Sequence, residues 1–186
     1  AIAAVRSWMA SEPENRIFSL SQNDWGNPCR CPECEKLNRE EGYSGTLIHF
    51  VNQVADAVYD EFPQNLVETF AYQYTRTPPK TIRCAKNVSI RLCTIECCFA
   101  HPISECGERQ AFNNPSMYED IKGWARSCER LYIWDYTTDF WQYLMPFDNL
   151  FAIKKNLQTY RDHNVKSLFM QGNIASRGAF SEITAY

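Results

Sequence analysis

Short segments with the composition of β-strands alternate along this chain with longer segments that carry an apolar stripe at helical spacing. The strand-like segments are residues 16–24, 66–75, 88–96, 131–136 and 166–173. The helix-like segments are residues 2–9, 44–63, 116–128, 150–163 and 180–186. Strands that alternate with helices in this way pair in parallel through right-handed crossovers. The sequence therefore predicts an α/β fold built on a parallel sheet.

The polar residues after the predicted strands help to decide whether the sheet is open or closed into a barrel. No glycine-rich nucleotide signature of the form G-x-G-x-x-G or G-x4-G-K-[ST] follows any strand. The strands instead end in polar or acidic residues, namely Asn23 and Asp24, Gln73 and Tyr74, Glu96, Asp135, and Gln171 and Asn173. The carboxyl ends of the strands form the active-site face of a (β/α)8 barrel, which has eight units in roughly 250 residues. We interpret residues 1–186 as a single domain, the C-terminal five βα units of a TIM-type barrel.

Charge and hydropathy exclude several classes of protein. The formal net charge is −3 and lysines and arginines do not cluster, so a surface that follows nucleic-acid phosphates is not expected. No apolar run approaches the roughly 18 residues that a membrane span requires. No signal peptide, with a charged segment followed by an apolar one, is visible in this chain.

Three carboxyl groups at predicted strand ends are the candidates for catalysis: Asp24, Glu96 and Asp135. Glycosidic bonds are commonly cleaved by two carboxyl groups, one that protonates the leaving oxygen and one that acts as nucleophile or base. Glu96 is the first choice because the apolar strand before it and Cys97 and Cys98 after it would shield it from water.

Aromatic and amide side chains near the same strand ends are the candidates for binding a sugar. Aromatic rings offer flat apolar surfaces on which the CH faces of sugars stack, and amides supply hydrogen bonds. The candidates are Asn23, Trp25, Tyr74, Trp134, Tyr136 and Gln171, with Trp141 nearby. The sequence therefore predicts a glycan substrate at the carboxyl ends of the strands.

Two other interpretations of the acidic strand ends stay open. Acidic residues directly after strands often cap helices or form ion pairs in loops, without a chemical role. In the other interpretation, the chain is a non-catalytic carbohydrate-binding barrel fragment, in which the carboxylates only accept hydrogen bonds from the glycan.

The nine cysteines are an unusually large and odd number for a chain of this length. Cys29, Cys31 and Cys34 lie within six residues, a spacing that allows thiolates to bind one zinc ion. Residues that could complete a tetrahedral shell are Cys97, Cys98, Cys106 and His101. Disulfides in a secreted protein, or reduced cysteines that only pack, are the alternatives. We expect no catalytic cofactor. A structural zinc ion, a zinc-dependent hydrolase and a Cys98–His101 nucleophile are weaker alternatives.

Six strings of the sequence are long and unusual: SQNDWGNPCRCPEC, FVNQVADAV, AYQYTRTPPK, IRLCTIECCFAHP, LYIWDYTT and MQGN. With them the chain resembles the domain of unknown function 4838 (DUF4838), a bacterial glycosidase-like domain related to glycoside hydrolase family 163. The resemblance runs from about Phe18 to Tyr186.

The resemblance implies a (β/α)8 catalytic domain within a longer polypeptide, whose remainder is then an expected partner. It implies an extracellular, periplasmic or cell-surface location, and it relates the chain to endo-β-N-acetylglucosaminidases that act on complex N-glycans. Within the matching strings, Glu96 of TIECC is the candidate essential carboxyl group. Asp24 of SQNDW and Asp135 of IWDYTT are the candidates for its partner.

Overall fold

The computed structural model describes residues 1–106, 116–142, 147 and 149–172. The helices among these residues are α1 (Ile2–Ser11), α2 (Pro32–Glu41), α3 (Tyr43–Tyr59), α4 (Met117–Ser127) and α5 (Leu150–Asp162). The strands are β1 (Ile17–Ser19), β2 (Leu66–Ala71), β3 (Val88–Cys93), β4 (Leu131–Tyr136) and β5 (Val165–Gln171). A short 3-10 helix, Gln73–Thr75, follows β2.

The five strands form one parallel sheet in the order β1-β2-β3-β4-β5, so each strand pairs with the next one along the chain. The sheet curls into a half-barrel, the arrangement expected for consecutive units of a (β/α)8 barrel. The prediction of an α/β fold with parallel strands is therefore confirmed.

Side chains along the strands alternate between a face that packs on the helices and a concave face. The helix-packed face is mostly apolar, and its residues Val88, Ile90 and Leu92 of β3 and Leu131 and Ile133 of β4 are at most 1% exposed. These residues share one core with buried residues of α1, α3, α4 and α5. Because successive strand residues point to opposite sides, the residues between them face the concave side of the sheet.

The loop after β2 packs closely against α4. Gly123 of α4 lies against Pro78, and a Cβ at this glycine would overlap the proline ring. The indole Nε1 of Trp124 donates a hydrogen bond of 2.7 Å to the carbonyl oxygen of Arg76. These contacts fix the backbone of the loop at Arg76, whose side chain is central to the site described below.

Helix α2 was not predicted from the sequence, which favours a loop for the cysteine-bearing segment. This helix has no buried residue, so it lacks the apolar stripe that marks the other helices. Pro32 at its start, Glu33 and Glu35 in its first turn and Arg39 in its last turn are its sequence signals.

Strands β1, β2 and β3 are shorter than predicted at their carboxyl ends. Strand β1 ends at Ser19, and β3 ends at Cys93, so Glu96 lies in the turn after the strand. The predicted helix at residues 180–186 and Asn173 at the end of the last strand lie outside the described residues.

Candidate functional site

Aromatic rings cover much of the concave face near the carboxyl ends of the strands. Trp134 of β4 contacts Phe70 of β2 and Phe169 of β5, with ring centroids 5.6 and 4.9 Å apart. Tyr136 stacks on Trp134 at 6.4 Å, with an interplanar angle of 24°. The indole Nε1 of Trp134 donates a 2.9 Å hydrogen bond to Oε1 of Gln171, so two predicted sugar-binding residues lie in contact.

Asp24 lies on the loop after β1 and is exposed. Its Oδ1 accepts a 2.6 Å hydrogen bond from the Tyr72 hydroxyl and one of 3.3 Å from the Gln73 amide. Gln73 has a positive φ of 51°, a conformation that is strained for a residue with a side chain. Asp24 is therefore a solvent-accessible carboxylate held in place by side chains from the end of β2.

An open hollow of about 550 Å³ lies beside Tyr136 and has the size of a small-ligand site. Its lining is mostly apolar and consists of Ile95, Phe99, Tyr136, Thr138, Asp139, Phe140, Trp141 and Phe147. Trp141 is 94% exposed at its rim. An indole this exposed is available to stack on a ligand.

The hollow and the Asp24 contact belong to the same end of the sheet. Burial raises the pKa of Tyr136, and the charges of Cys93, Asp135, Tyr72 and Asp24 raise it further. Burial also raises the pKa of Tyr72, helped by its hydrogen bond to Asp24. Both phenols therefore stay protonated at neutral pH and can donate hydrogen bonds.

Glu96 forms part of a buried cluster with Arg76 and Asp120. The Arg76 guanidinium lies 3.2 Å from Glu96 through Nη1 and 2.8 Å from Asp120 through Nε. The three side chains are 0%, 8% and 1% exposed, in the order Arg76, Glu96, Asp120. Since Asp120 lies on α4, this ion cluster joins the loops after β2 and β3 to the helix layer.

The protonation of Asp120 is expected to make folding stability depend on pH. Burial raises the pKa of Asp120 from 3.8 to about 6, although the Arg76 guanidinium opposes the shift. The folded state then binds more protons than the unfolded state between these values, so stability falls as pH rises through this window. A shift of about 2 pH units corresponds to about 3 kcal/mol of lost stability between pH 4 and pH 7.

Urea unfolding of the wild type and the Asp120→Asn variant at pH 4, 5, 6 and 7 measures this effect. The asparagine does not titrate, so the unfolding free energy of the variant should rise relative to that of the wild type as pH rises. An Asp162→Asn variant, altered at an exposed residue of α5, serves as the control. Wild-type and Asp120→Asn curves that run parallel across this range contradict the prediction.

Asp135 lies in a different network from Asp24 and Glu96. Its Oδ1 accepts hydrogen bonds from the Thr94 hydroxyl at 2.6 Å and from the backbone N–H of Tyr136 at 2.9 Å. Its Oδ2 accepts a 2.6 Å bond from the Tyr160 hydroxyl on α5. Asp135 thus shares the helix-packed side with Leu131 and Ile133, and a catalytic role for it stays a prediction.

The remaining predicted binding residues are distributed over two regions. Trp25 is 72% exposed and follows Asp24, with its N–H bonded to the carbonyl oxygen of Asn23 at 2.8 Å. Tyr74 makes an edge contact of 5.8 Å with Tyr43 of α3, away from the Trp134 cluster. The structure thus groups Trp134, Tyr136 and Gln171, and separately places Asn23 and Trp25 beside Asp24.

Sequence reasoning missed the basic partners of the acidic residues. Arg76 is one of them, and Arg91 of β3 is another, paired with Glu68 of β2 at 2.9 Å on the concave face. In the register of β2 and β3, Glu68 is opposite Ser89, and Arg91 lies two residues further along β3. Opposite charges at nearby, equally oriented positions of neighbouring strands are the signal that could have found this pair.

The cysteines form two separate three-ligand groups that could hold a metal ion, rather than the single shared shell that the sequence suggested. One group is Cys29, Cys31 and Cys34 at the start of α2, and the other is Cys98, His101 and Cys106 after β3. In each group the ligand atoms lie within 4.8 Å of one another.

Hydrogen bonding shifts the pKa values of two thiols of the first group in opposite directions. Hydrogen bonds from the backbone N–H and side chain of Cys34 lower the pKa of Cys31. The side-chain bond to Cys31 raises the pKa of Cys34 to about 12. Cys31 therefore ionises more readily than Cys34.

Comparison with known proteins identifies a family. The family profile described as Domain of unknown function (DUF4838) matches residues 1–186. No curated protein and no solved structure gives a significant match to the chain. Within the residues that the structure describes, none of the helices combines the length and apolar character needed to cross a bilayer.

Proposed function

The chain belongs to the DUF4838 family, and we propose that it acts on glycans as a glycoside hydrolase whose substrate lies across the carboxyl ends of the strands. Complex N-glycans are the proposed substrate class, cleaved as by an endo-β-N-acetylglucosaminidase. The proposed location is extracellular, periplasmic or at the cell surface, where such glycans occur. The remainder of a longer polypeptide is the proposed partner of this half-barrel.

The observation that carries the proposal is the combination of an aromatic surface with an accessible carboxylate at one end of the sheet. Trp141 is 94% exposed and offers a flat apolar surface for the CH face of a sugar, while the half-buried Trp134 and the buried Tyr136 lie next to each other on the concave face. Asp24 lies at the same end and is held by the Tyr72 hydroxyl. Sugar recognition needs both kinds of group, and these residues supply both.

Hydrolysis would use Asp24 together with a second carboxyl group. One of the two protonates the leaving oxygen, and the other stabilises the positive charge that develops on the sugar ring or attacks it. Glu96 is the proposed second group because it lies in the loop after β3 and pairs with Arg76. Asp135, bonded to Thr94 and Tyr160, is assigned to positioning the strand end.

A non-catalytic carbohydrate-binding role is the second candidate, and one observation favours it. Glu96 and Asp135 are both engaged by buried protein groups, so Asp24 alone of the three offers an accessible carboxylate. In that case the aromatic surface binds glycan and no bond is cleaved.

One assay of the wild type and the Trp141→Ala variant tests both sugar binding and hydrolysis. The chain is incubated with an N-linked glycoprotein, and released reducing ends are measured over a range of substrate concentrations. Loss of one stacking ring is expected to cost about 1 kcal/mol, a roughly fivefold rise in KM, with kcat little changed. Trp141 is 94% exposed, so its removal should not disturb the core.

The matched control is Phe151→Ala on α5. Phe151 is 88% exposed but belongs to the helix layer, so its loss should leave KM unchanged. Reducing ends that are never released by the wild type, while glycan binding persists, would support the binding role instead. Equal KM values for Trp141→Ala and the wild type would remove Trp141 from the proposed binding surface.

A further inference from the structure

The loop after β3 brings two thiols and an imidazole together. Cys98 Sγ lies 3.1 Å from Nδ1 of His101, and the ligand atoms of Cys98, His101 and Cys106 lie within 4.8 Å of one another. Phe99, between the first two, has a positive φ of 55°. Its ring packs against Phe147 at 5.2 Å, a contact that helps to hold this strained turn.

Contacts that do not involve the thiols dock this loop on α5. The backbone N–H of Ile103 donates a 2.8 Å hydrogen bond to the buried Asn156 side chain. Glu105 pairs with Lys155 at 2.6 Å, and the N–H of Cys106 bonds to the carbonyl oxygen of Pro102 at 3.0 Å. These contacts hold the loop in the conformation that brings the three ligand side chains together, and hydrogen bonds from His101 and Cys106 to Cys98 join the side chains to one another.

A small cavity lies among these side chains. Its volume is about 10 Å³, close to that of one water-sized sphere, and Cys98, His101 and Cys106 all line it. Cys97 and Asp135 also face it. A space of this size suits a single ion and excludes an organic ligand.

From this geometry we propose that Cys98, His101 and Cys106 form a zinc site. Sulfur and imidazole nitrogen are the ligands that Zn²⁺ prefers, and three protein ligands leave a fourth tetrahedral position for water. Binding deprotonates the two thiols, so two thiolates balance the 2+ charge and two protons are released to solvent. The ion would fix the loop after β3 against α5. This inference does not depend on the proposed hydrolase activity.

The protonation of Cys98 agrees with this role. Burial opposes ionisation of its thiol, but hydrogen bonds from His101 and Cys106 outweigh burial and lower its pKa. A thiol that ionises readily loses less free energy when it becomes a metal ligand.

The test uses the full chain with Cys29, Cys31 and Cys34 all changed to serine, which removes the other three-ligand group. The reduced protein is titrated with Zn²⁺, and bound zinc and released protons are measured. We expect one zinc ion per chain and about two protons released. Co²⁺ in place of Zn²⁺ should give a thiolate-to-metal charge-transfer band and the visible absorption of a tetrahedral site.

A Cys106→Ser change in this background should weaken zinc binding by roughly two orders of magnitude and reduce the intensity of the cobalt–thiolate band, because one of the two thiolate ligands is lost. Cys84→Ser is the matched control, since Cys84 lies outside the group, and should leave binding unchanged. Circular dichroism checks that both variants are folded.

A second measurement needs no variant at the site. Zinc should slow alkylation of Cys98 and Cys106 in the parent protein, and a chelator should restore it. The proposal is overturned if the parent protein binds no zinc, or if Cys106→Ser binds it as tightly as the parent. A Cys98–Cys106 disulfide in the protein as isolated, seen as a mass lower by two hydrogen atoms, also overturns it.

Discussion

The Arg76→Met variant is expected to lose about 3 to 5 kcal/mol of unfolding free energy, because it leaves buried carboxylates without their cation. Arg76 is fully buried between Glu96 and Asp120, which are 8% and 1% exposed. Because both carboxylates are buried, neither can replace the lost guanidinium by turning its oxygens toward solvent. Urea denaturation at pH 7 measures the difference.

The exposed ion pair of Arg6 and Glu61 provides a control with the same N–O distance. Its N–O distance is 2.8 Å, as for Arg76 and Asp120, but its side chains are 42% and 50% exposed. Arg6→Met should therefore cost less than about 1 kcal/mol.

Replacing all three buried charges with apolar residues should recover most of the stability that Arg76→Met loses. The triple variant Arg76→Met, Glu96→Met, Asp120→Leu tests this point. A loss in Arg76→Met as small as that in Arg6→Met would show that the buried charges do not depend on Arg76.

The second large effect is expected for Asp24→Asn in the hydrolysis assay. If Asp24 transfers a proton or stabilises charge at the glycosidic bond, kcat should fall by roughly 10²- to 10⁴-fold. The asparagine keeps the size of the side chain and can still accept a bond from Tyr72, so glycan binding should change little. Asp24 is a cleaner test than Glu96, since Glu96→Gln also disturbs the buried pair with Arg76.

Asp162→Asn makes the same chemical change at an exposed residue of α5 and should leave kcat unchanged. Full activity of Asp24→Asn would remove Asp24 from the catalytic groups. A parallel loss of glycan binding in Asp24→Asn would instead assign Asp24 to substrate binding.

The fold could be predicted from the sequence because its main signals are local. The residues LYIWDY are a strand in both the prediction and the structure, with the same bounds, Leu131–Tyr136. The apolar stripe of α3 likewise predicted a helix, and the structure has a helix there. Helix α2 escaped prediction because a helix with no buried residue has no stripe to detect.

The site was harder to predict because its geometry depends on which face each side chain occupies. Alternation along β4 already groups Asp135 with Leu131 and Ile133, on the side opposite Trp134. The ion pair of Arg76 with Asp120 joins residues 44 positions apart, and no local sequence pattern predicts it. Position at the strand ends alone therefore could not indicate that the Asp135 side chain faces the helix layer.

The alternation along β4 also affects how such a domain can diversify. Ile133 and Asp135 serve the helix layer, whereas Trp134 and Tyr136 lie on the concave face. Substitutions on one face leave the packing partners of the other in place, and changes without shared partners combine almost independently. Rings on the concave face can therefore be exchanged during evolution while the packing of β4 on the helices is kept.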